Sequence, residues 1–175
     1  MSVQADTVIQ FSGLKSGFYE FGFDLGKEFF ERFENDDLRD GNVHFEVHLE
    51  RKERLLLFNI SFDGFVMTQC DRCLGDLSVS VTGKHLLTVR IHDNETSDNE
   101  DVVILPEKAI SIDLAQFFYE YVVIALPMQH VHPDDEHGIP TCDPSMLRFL
   151  SHHDEPSDHD ESAPDPRLAK LLDLK

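Results

Sequence analysis

The chain of 175 residues is long enough for one domain with a buried core. Apolar residues make up 41% of it, including 14 phenylalanines, which excludes a chain that is disordered throughout. The 34 acidic and 15 basic residues give a formal net charge of −19, which argues against broad, charge-driven binding of nucleic acid. Such acidity suits a basic protein partner, and solubility alone is the alternative explanation.

The N-terminal residues do not form a basic stretch followed by an apolar run, as a signal peptide would. No apolar run approaches the roughly 18 residues that are needed to cross a bilayer. Three cysteines are an odd number, which argues against a secreted disulfide framework. We therefore expect a cytoplasmic protein with reduced thiols and no membrane partner.

Alternating apolar and polar residues predict strands in the first part of the chain. Residues 8–25 contain two strand-like pieces, with a turn at residues 16–17 between them. The phenylalanines of residues 26–36 cluster on one side of a predicted short helix. Residues 42–50 alternate cleanly and predict a half-buried strand.

The middle of the chain continues as a predicted antiparallel meander. Residues 54–64 are more apolar and indicate a more buried strand, which the pair Asp63 and Gly64 would end in a hairpin turn. Residues 65–70 then lead into a cysteine pair. Alternation resumes over residues 76–91 and predicts a further strand.

A change of period marks the next part of the chain. Residues 92–101 carry acidic and polar side chains only and predict a solvent-exposed loop, after which residues 102–106 resume as a strand. Helical spacing then predicts a helix near 113–126, with Asp113 as its N-cap and Pro127 as its stop.

After residue 128, the composition shifts to histidine, acidic residues, serine and proline, which predicts loop, with one short helical turn at 144–150. We interpret residues 1–150 as a single domain, 151–164 as an acidic disordered linker and 165–175 as a short C-terminal helix. The expected class is α+β: an antiparallel sheet that could be barrel-like, a few helices and a disordered acidic C-terminal segment.

Cys70 and Cys73 have the spacing of a metal knuckle, in which two thiolates on a turn reach one Zn²⁺ at about 2.3 Å. A structural zinc needs four ligands, and the third cysteine is Cys142. Three histidines precede it at His130, His132 and His137. We expect the three cysteines and one of these histidines to complete a tetrahedral site that ties the loop-rich C-terminal part to the sheet.

Two alternatives remain for the cysteine pair, which could be idle thiols or a redox dithiol. A redox pair normally opens a helix inside a βαβ unit, whereas this pair interrupts a predicted meander. The sequence also lacks a glycine-rich phosphate loop, a nucleophile elbow and an HExxH motif, so we expect no enzymatic activity. Arg51, Lys52 and Arg54 form the one basic cluster, which is typical of a charged hairpin tip more than of an RNA contact.

Four segments resemble the YceD family, also called large ribosomal RNA subunit accumulation proteins. They are GLKSGFYEFGFDLGKEFF, GFVMTQCDRCLGDL, ISIDLAQFFYEYVVIALPMQHVH and DPRLAKLLDL, in that order, and they span most of the chain. Many family members carry further cysteines after the Leu-Pro helix, whereas this chain has only Cys142 with histidines around it.

The resemblance implies a role in accumulation or processing of the large-subunit ribosomal RNA, and it implies no catalytic residue. The acidic charge then fits binding to a basic ribosomal protein or an assembling particle, and direct contact with RNA is left open. The competing hypotheses are a zinc-binding or redox protein that uses Cys70 and Cys73, and an acidic chaperone-like binder of basic proteins.

Overall fold

The computed structural model describes residues 7–33, 35, 38, 40–92 and 102–151. The strands are β1 (Val8–Gln10), β2 (Gly17–Leu25), β3 (Asp40–Arg51), β4 (Leu55–Gln69), β5 (Asp76–Ile91), β6 (Val102–Leu105) and β7 (Ser111–Asp113). The helices are α1 (Lys27–Phe30), which a 3₁₀ turn continues over Glu31–Phe33, α2 (Ala115–Ala125) and α3 (Pro144–Ser151). No helix in the described ranges is long and apolar enough to span a bilayer.

Five strands form one sheet in the order β2-β3-β4-β5-β6, and β1 and β7 form a separate two-stranded sheet. All pairs are antiparallel except β5 and β6, which run parallel. The predicted α+β class and antiparallel sheet are confirmed, but a barrel-like closure is wrong. The four-residue β6 runs parallel on the outer edge of β5, so the meander does not continue round to β2, and among the described residues no pairing joins the two edges.

The predicted hairpin turn at Asp63 and Gly64 is also wrong, because β4 continues through both residues. Gly64 lies opposite Val43 of β3. A Cβ atom on Gly64 would lie 2.2 Å from the Asn42 carbonyl oxygen and 2.7 Å from the Val43 Cα. The glycine therefore permits the close approach of β3 to β4 within a strand, which is a recognised use of glycine in sheets.

The core lies on one face of the sheet, under α2. The predicted apolar face of β3 is buried through Val43, Phe45, Val47 and Leu49. Phe118 of α2 packs on this face, with its ring centroid 4.3 Å from that of Phe45. Helix α2 agrees with the helix predicted near 113–126.

The ends of α2 follow from local chemistry. The predicted N-cap, Asp113, is displaced by one residue, because the N-cap position is Leu114. Asp113 still binds the first turn, since its Oδ1 accepts a hydrogen bond from the Ala115 N–H at 2.9 Å. Leu126 is extended at the C-terminal end, as expected for the residue before Pro127.

The three residues of the basic cluster, Arg51, Lys52 and Arg54, all bind groups of the chain close to them. The Arg51 guanidinium donates to the carbonyl oxygens of Phe11 and Leu14. Lys52 lies 2.9 Å from the Glu50 carboxylate, and Arg54 lies 3.2 Å from that of Glu107. These contacts support the hairpin-tip interpretation of the cluster.

Helix α3 confirms the helical turn predicted within 144–150. The C-terminal helix predicted at 165–175 lies outside the described residues, and so does the loop predicted over 92–101 except for His92. The linker predicted over 151–164 also lies outside them except for Ser151, which is the last residue of α3.

The close approach of β3 to Gly64 predicts the effect of a substitution on stability. We expect Gly64→Ala to lower the free energy of unfolding by about 2–3 kcal/mol, because the added methyl group meets the backbone of β3. Urea unfolding measures this change. Gly13→Ala is the matched control, since a Cβ there meets no atom within 4 Å. Equal effects of the two substitutions would contradict the close approach of β3 to β4 at Gly64.

Candidate metal centre

Three separate parts of the chain meet beyond the end of the long hairpin that β4 and β5 form. The turn between these strands supplies Cys70 and Cys73, the segment after α2 supplies His132, and the residues before α3 supply Cys142. The three Sγ atoms and one ring nitrogen all lie within 4.8 Å of one another. All three cysteines are buried free thiols.

The turn itself is a tight knuckle. The Cys70 N–H donates to the Gly75 carbonyl at 2.9 Å, which extends the β4–β5 ladder, and the Leu74 N–H donates to the Cys70 carbonyl at 2.8 Å. Leu74 has a φ angle of +57°, a left-handed conformation that costs a non-glycine residue on the order of 1–2 kcal/mol. The turn therefore holds Cys70 and Cys73 close together.

The segment after α2 is bound to this knuckle through its backbone. The Asp71 N–H donates to the His130 carbonyl at 2.6 Å, and the His130 N–H donates to Asp71 Oδ2 at 2.6 Å. The Arg72 guanidinium donates to the His132 carbonyl at 3.3 Å. Together these bonds position His132 over the thiols.

The interatomic distances fit a tetrahedral metal ion. The Cys70 and Cys142 Sγ atoms lie 3.7 Å apart, and His132 Nδ1 lies 3.4 Å from Cys73 Sγ and 3.7 Å from Cys142 Sγ. With zinc–sulfur bonds of about 2.3 Å and a zinc–nitrogen bond of about 2.0 Å, the edges of a tetrahedron measure about 3.8 Å between sulfurs and about 3.5 Å between sulfur and nitrogen. Three of the six distances among the donor atoms therefore match a zinc tetrahedron, and the other three are at most 4.8 Å.

The second ring nitrogen of His132 supports this assignment. His132 Nε2 lies 3.1 Å from the Asp76 carbonyl oxygen, which can only accept a hydrogen bond. A proton on Nε2 leaves the lone pair on Nδ1, the atom that faces the thiols. Such an outer partner commonly fixes the tautomer of a metal-binding histidine.

The surroundings of Cys70 and Cys73 favour the thiolate form, which is the form that binds a metal ion. Burial raises the pKa of the Cys70 thiol, but backbone N–H groups, among them those of Cys73 and His132, outweigh it and lower that pKa to about 6. The pKa of the Cys73 thiol is also lowered, chiefly by the Asp143 N–H. Burial and the two neighbouring thiols raise the pKa of Cys142, since three thiolates repel one another without a cation.

The structure separates the three histidines of the predicted site. His132 joins the cysteines, whereas the His130 ring lies 3.9 Å from the Asp71 carboxylate and its Nε2 is buried without a hydrogen-bond partner among the described residues. His137 lies exposed in a turn, where its N–H donates to Asp135 Oδ1. His130 and His132 stand two residues apart, so the sequence pattern does not distinguish them.

A small apolar cluster surrounds the four donor groups, and Val79 packs against both this cluster and the main core. It consists of Leu77, Val79, Val131, Met146 and Leu147 around the cysteines. So few apolar contacts give the segment after α2 little hydrophobic stabilisation, and a bound metal would supply folding energy there.

A comparison with models of protein families shows to which family the chain belongs. The family model of the large ribosomal RNA subunit accumulation protein YceD matches residues 58–175, which is about two thirds of the chain. The chain belongs to the YceD family. The match begins within β4 and contains the knuckle, α2 and α3, whereas β1, β2 and β3 lie outside it. Among curated proteins and solved structures, none matches the chain.

The histidines provide a test of the centre. We expect His132→Ala to weaken zinc binding by about 100-fold or more, because it removes a ligand atom. Competition with a chromophoric chelator, on protein purified without an affinity tag, measures the change.

His130→Ala and His137→Ala are the matched controls, since His130 binds the knuckle through backbone atoms that alanine retains. Both should bind zinc about as tightly as the unchanged chain. A larger loss in His130→Ala than in His132→Ala would contradict the assignment.

Proposed function

We propose that this protein is a non-enzymatic, cytoplasmic factor in biogenesis of the large ribosomal subunit, and that it promotes accumulation or processing of the ribosomal RNA. The family match carries this proposal, because the description of the YceD family refers to accumulation of that RNA. The match contains the knuckle and the residues that surround it, so the most distinctive structural feature belongs to the matched part.

We further propose that the partner is a basic ribosomal protein or an assembling particle that presents one. The net charge of −19 favours such a partner over bare RNA. The face of the sheet opposite the core is also acidic: Glu20 and Asp24 of β2, Glu46 and Glu50 of β3 and Asp63 of β4 share it, as their strand register requires.

The proposed role of the cysteine cluster is structural. Zinc held by Cys70, Cys73, Cys142 and His132 would fix the segment after α2 and α3 against the sheet. A redox role is less well supported, because thiol exchange needs access for a second thiol and Cys70 is 0% exposed.

Deletion of the gene tests the proposed function. We expect the ratio of large-subunit to small-subunit ribosomal RNA to fall, and the unchanged chain supplied in trans to restore it. Electrophoresis of total RNA, with quantification of both species and of their precursors, gives the ratio.

The variant Cys142→Ser, checked for its cellular level, shows whether the centre is required. An unchanged ratio after deletion would contradict the role in biogenesis, whatever the metal content of the protein.

A further inference from the structure

Most of the outer edge of β5 has no strand beside it in the part of the chain that the structure describes. Strand β6 pairs only with Thr88–Ile91 of β5. Over residues 76–87, β4 on the inner side is the one strand that pairs with β5 among the residues described. The free stretch is therefore about three quarters of a 16-residue strand.

The hydrogen-bond alternation of an antiparallel pair identifies the free groups. Cys70 donates to Gly75, and Ile91 donates to Arg54, so the odd-numbered residues of β5 bond to β4. The even-numbered residues direct both their N–H and C=O groups outward. Between the His132 contact at Asp76 and the β6 pairing at Thr88, these residues are Ser78, Ser80, Thr82, Lys84 and Leu86.

As far as the described residues show, this edge lacks the usual protections against pairing. Its register with β4 runs without a bulge from Asp76 to Arg90, and residues 77–87 contain no proline. Lys84 is the one lysine or acidic residue within it. Proteins normally cover, shorten or charge such an edge, because it is a ready template for another strand.

A groove with both apolar and polar walls lies beside the edge. Helix α2 borders it, since the ring of Tyr121 stacks on that of His85 at 4.1 Å between centroids and an angle of 3°. A hollow of about 530 Å³ between the helix and β5 is lined by Leu87, Val103, Phe117, Tyr121 and others. Glu120 adds a carboxylate to its wall.

We propose that an extended segment of a basic protein partner adds to this edge as a further strand. Its main chain pairs with the outward groups of residues 78–86, and side chains on one face of the segment enter the hollow between β5 and α2. An edge strand with a helix-lined groove beside it binds peptides by strand addition, in which main-chain bonds provide affinity and the groove provides selectivity. The net charge of −19 and Glu120 favour basic residues in the segment. The basic character of the partner rests on the proposed function.

The test uses a capped eight-residue peptide of alternating lysine and valine, followed by amide exchange of the full chain in NMR spectra. With peptide at ten times its Kd or more, we expect amide exchange to slow by about tenfold or more at Ser78, Ser80, Thr82, Lys84 and Leu86. The intervening odd-numbered amides should change little, because they already bond to β4.

A peptide with the same side chains but N-methylated at alternate residues is the first control, since it keeps the charge and loses the main-chain donors. Equal binding of both peptides would overturn the proposal. Protection of the even-numbered amides in the free protein would overturn it as well, because the edge would then be covered by the chain itself. If sedimentation shows a dimer whose formation explains the protection of these amides, the occupant is a second copy of the chain, and the proposal is again overturned.

Variants locate the binding on the protein. Ser80→Pro removes one outward N–H, a position where an edge strand tolerates proline, and should weaken the peptide by about tenfold. Ser80→Ala retains the N–H and should bind as the unchanged chain does. Glu120→Lys changes an exposed helix residue, so it should keep the fold and weaken the lysine peptide.

The two proposals fail separately. If gene deletion alters ribosomal RNA as expected but the peptide does not bind, only the proposal that the edge is the docking site is overturned.

Discussion

The clamp between the β4–β5 turn and the segment after α2 is the interaction on which the second half of the fold depends. Asp71 and His130 exchange two hydrogen bonds at 2.6 Å each. The cysteine cluster lies directly beside them, with few apolar neighbours. Apolar burial is smaller here than around β3, so the polar clamp contributes to holding the segment, and the metal ion that we propose for the four donor groups would add to it.

The long β4–β5 hairpin connects this clamp to the proposed docking edge. At one end, its turn supplies two of the four donor atoms, and at the other end it pairs with β6. Between these ends, no strand in the described ranges covers the outer edge of β5, which lies beside α2. β5 pairs with β4 from Asp76 to Arg90, whereas β6 pairs only with its last four residues, and this difference in length leaves the outer edge without a strand in the described part of the chain.

The sequence predicted the elements whose pattern is local. Clean alternation found β3, helical spacing found α2, and the Cys-x-x-Cys spacing found the knuckle. Burial on one face of a strand or helix repeats at a fixed period, so the pattern is visible without any knowledge of the fold.

Features that depend on contacts between distant segments were missed or left open. Gly64 resembles a turn residue, yet the neighbouring strand requires it. The parallel pairing of β6 depends on a return of the chain that no local pattern encodes. The choice of His132 over His130 depends on backbone bonds to Asp71 and on the carbonyl of Asp76, which single out one ring without any difference in residue type.

Zinc K-edge X-ray absorption on the untagged protein tests the metal centre most directly. The predicted first shell contains three sulfur atoms at about 2.3 Å and one nitrogen at about 2.0 Å from the zinc. A shell without sulfur, or with only two sulfurs, would contradict a centre built from Cys70, Cys73, Cys142 and His132.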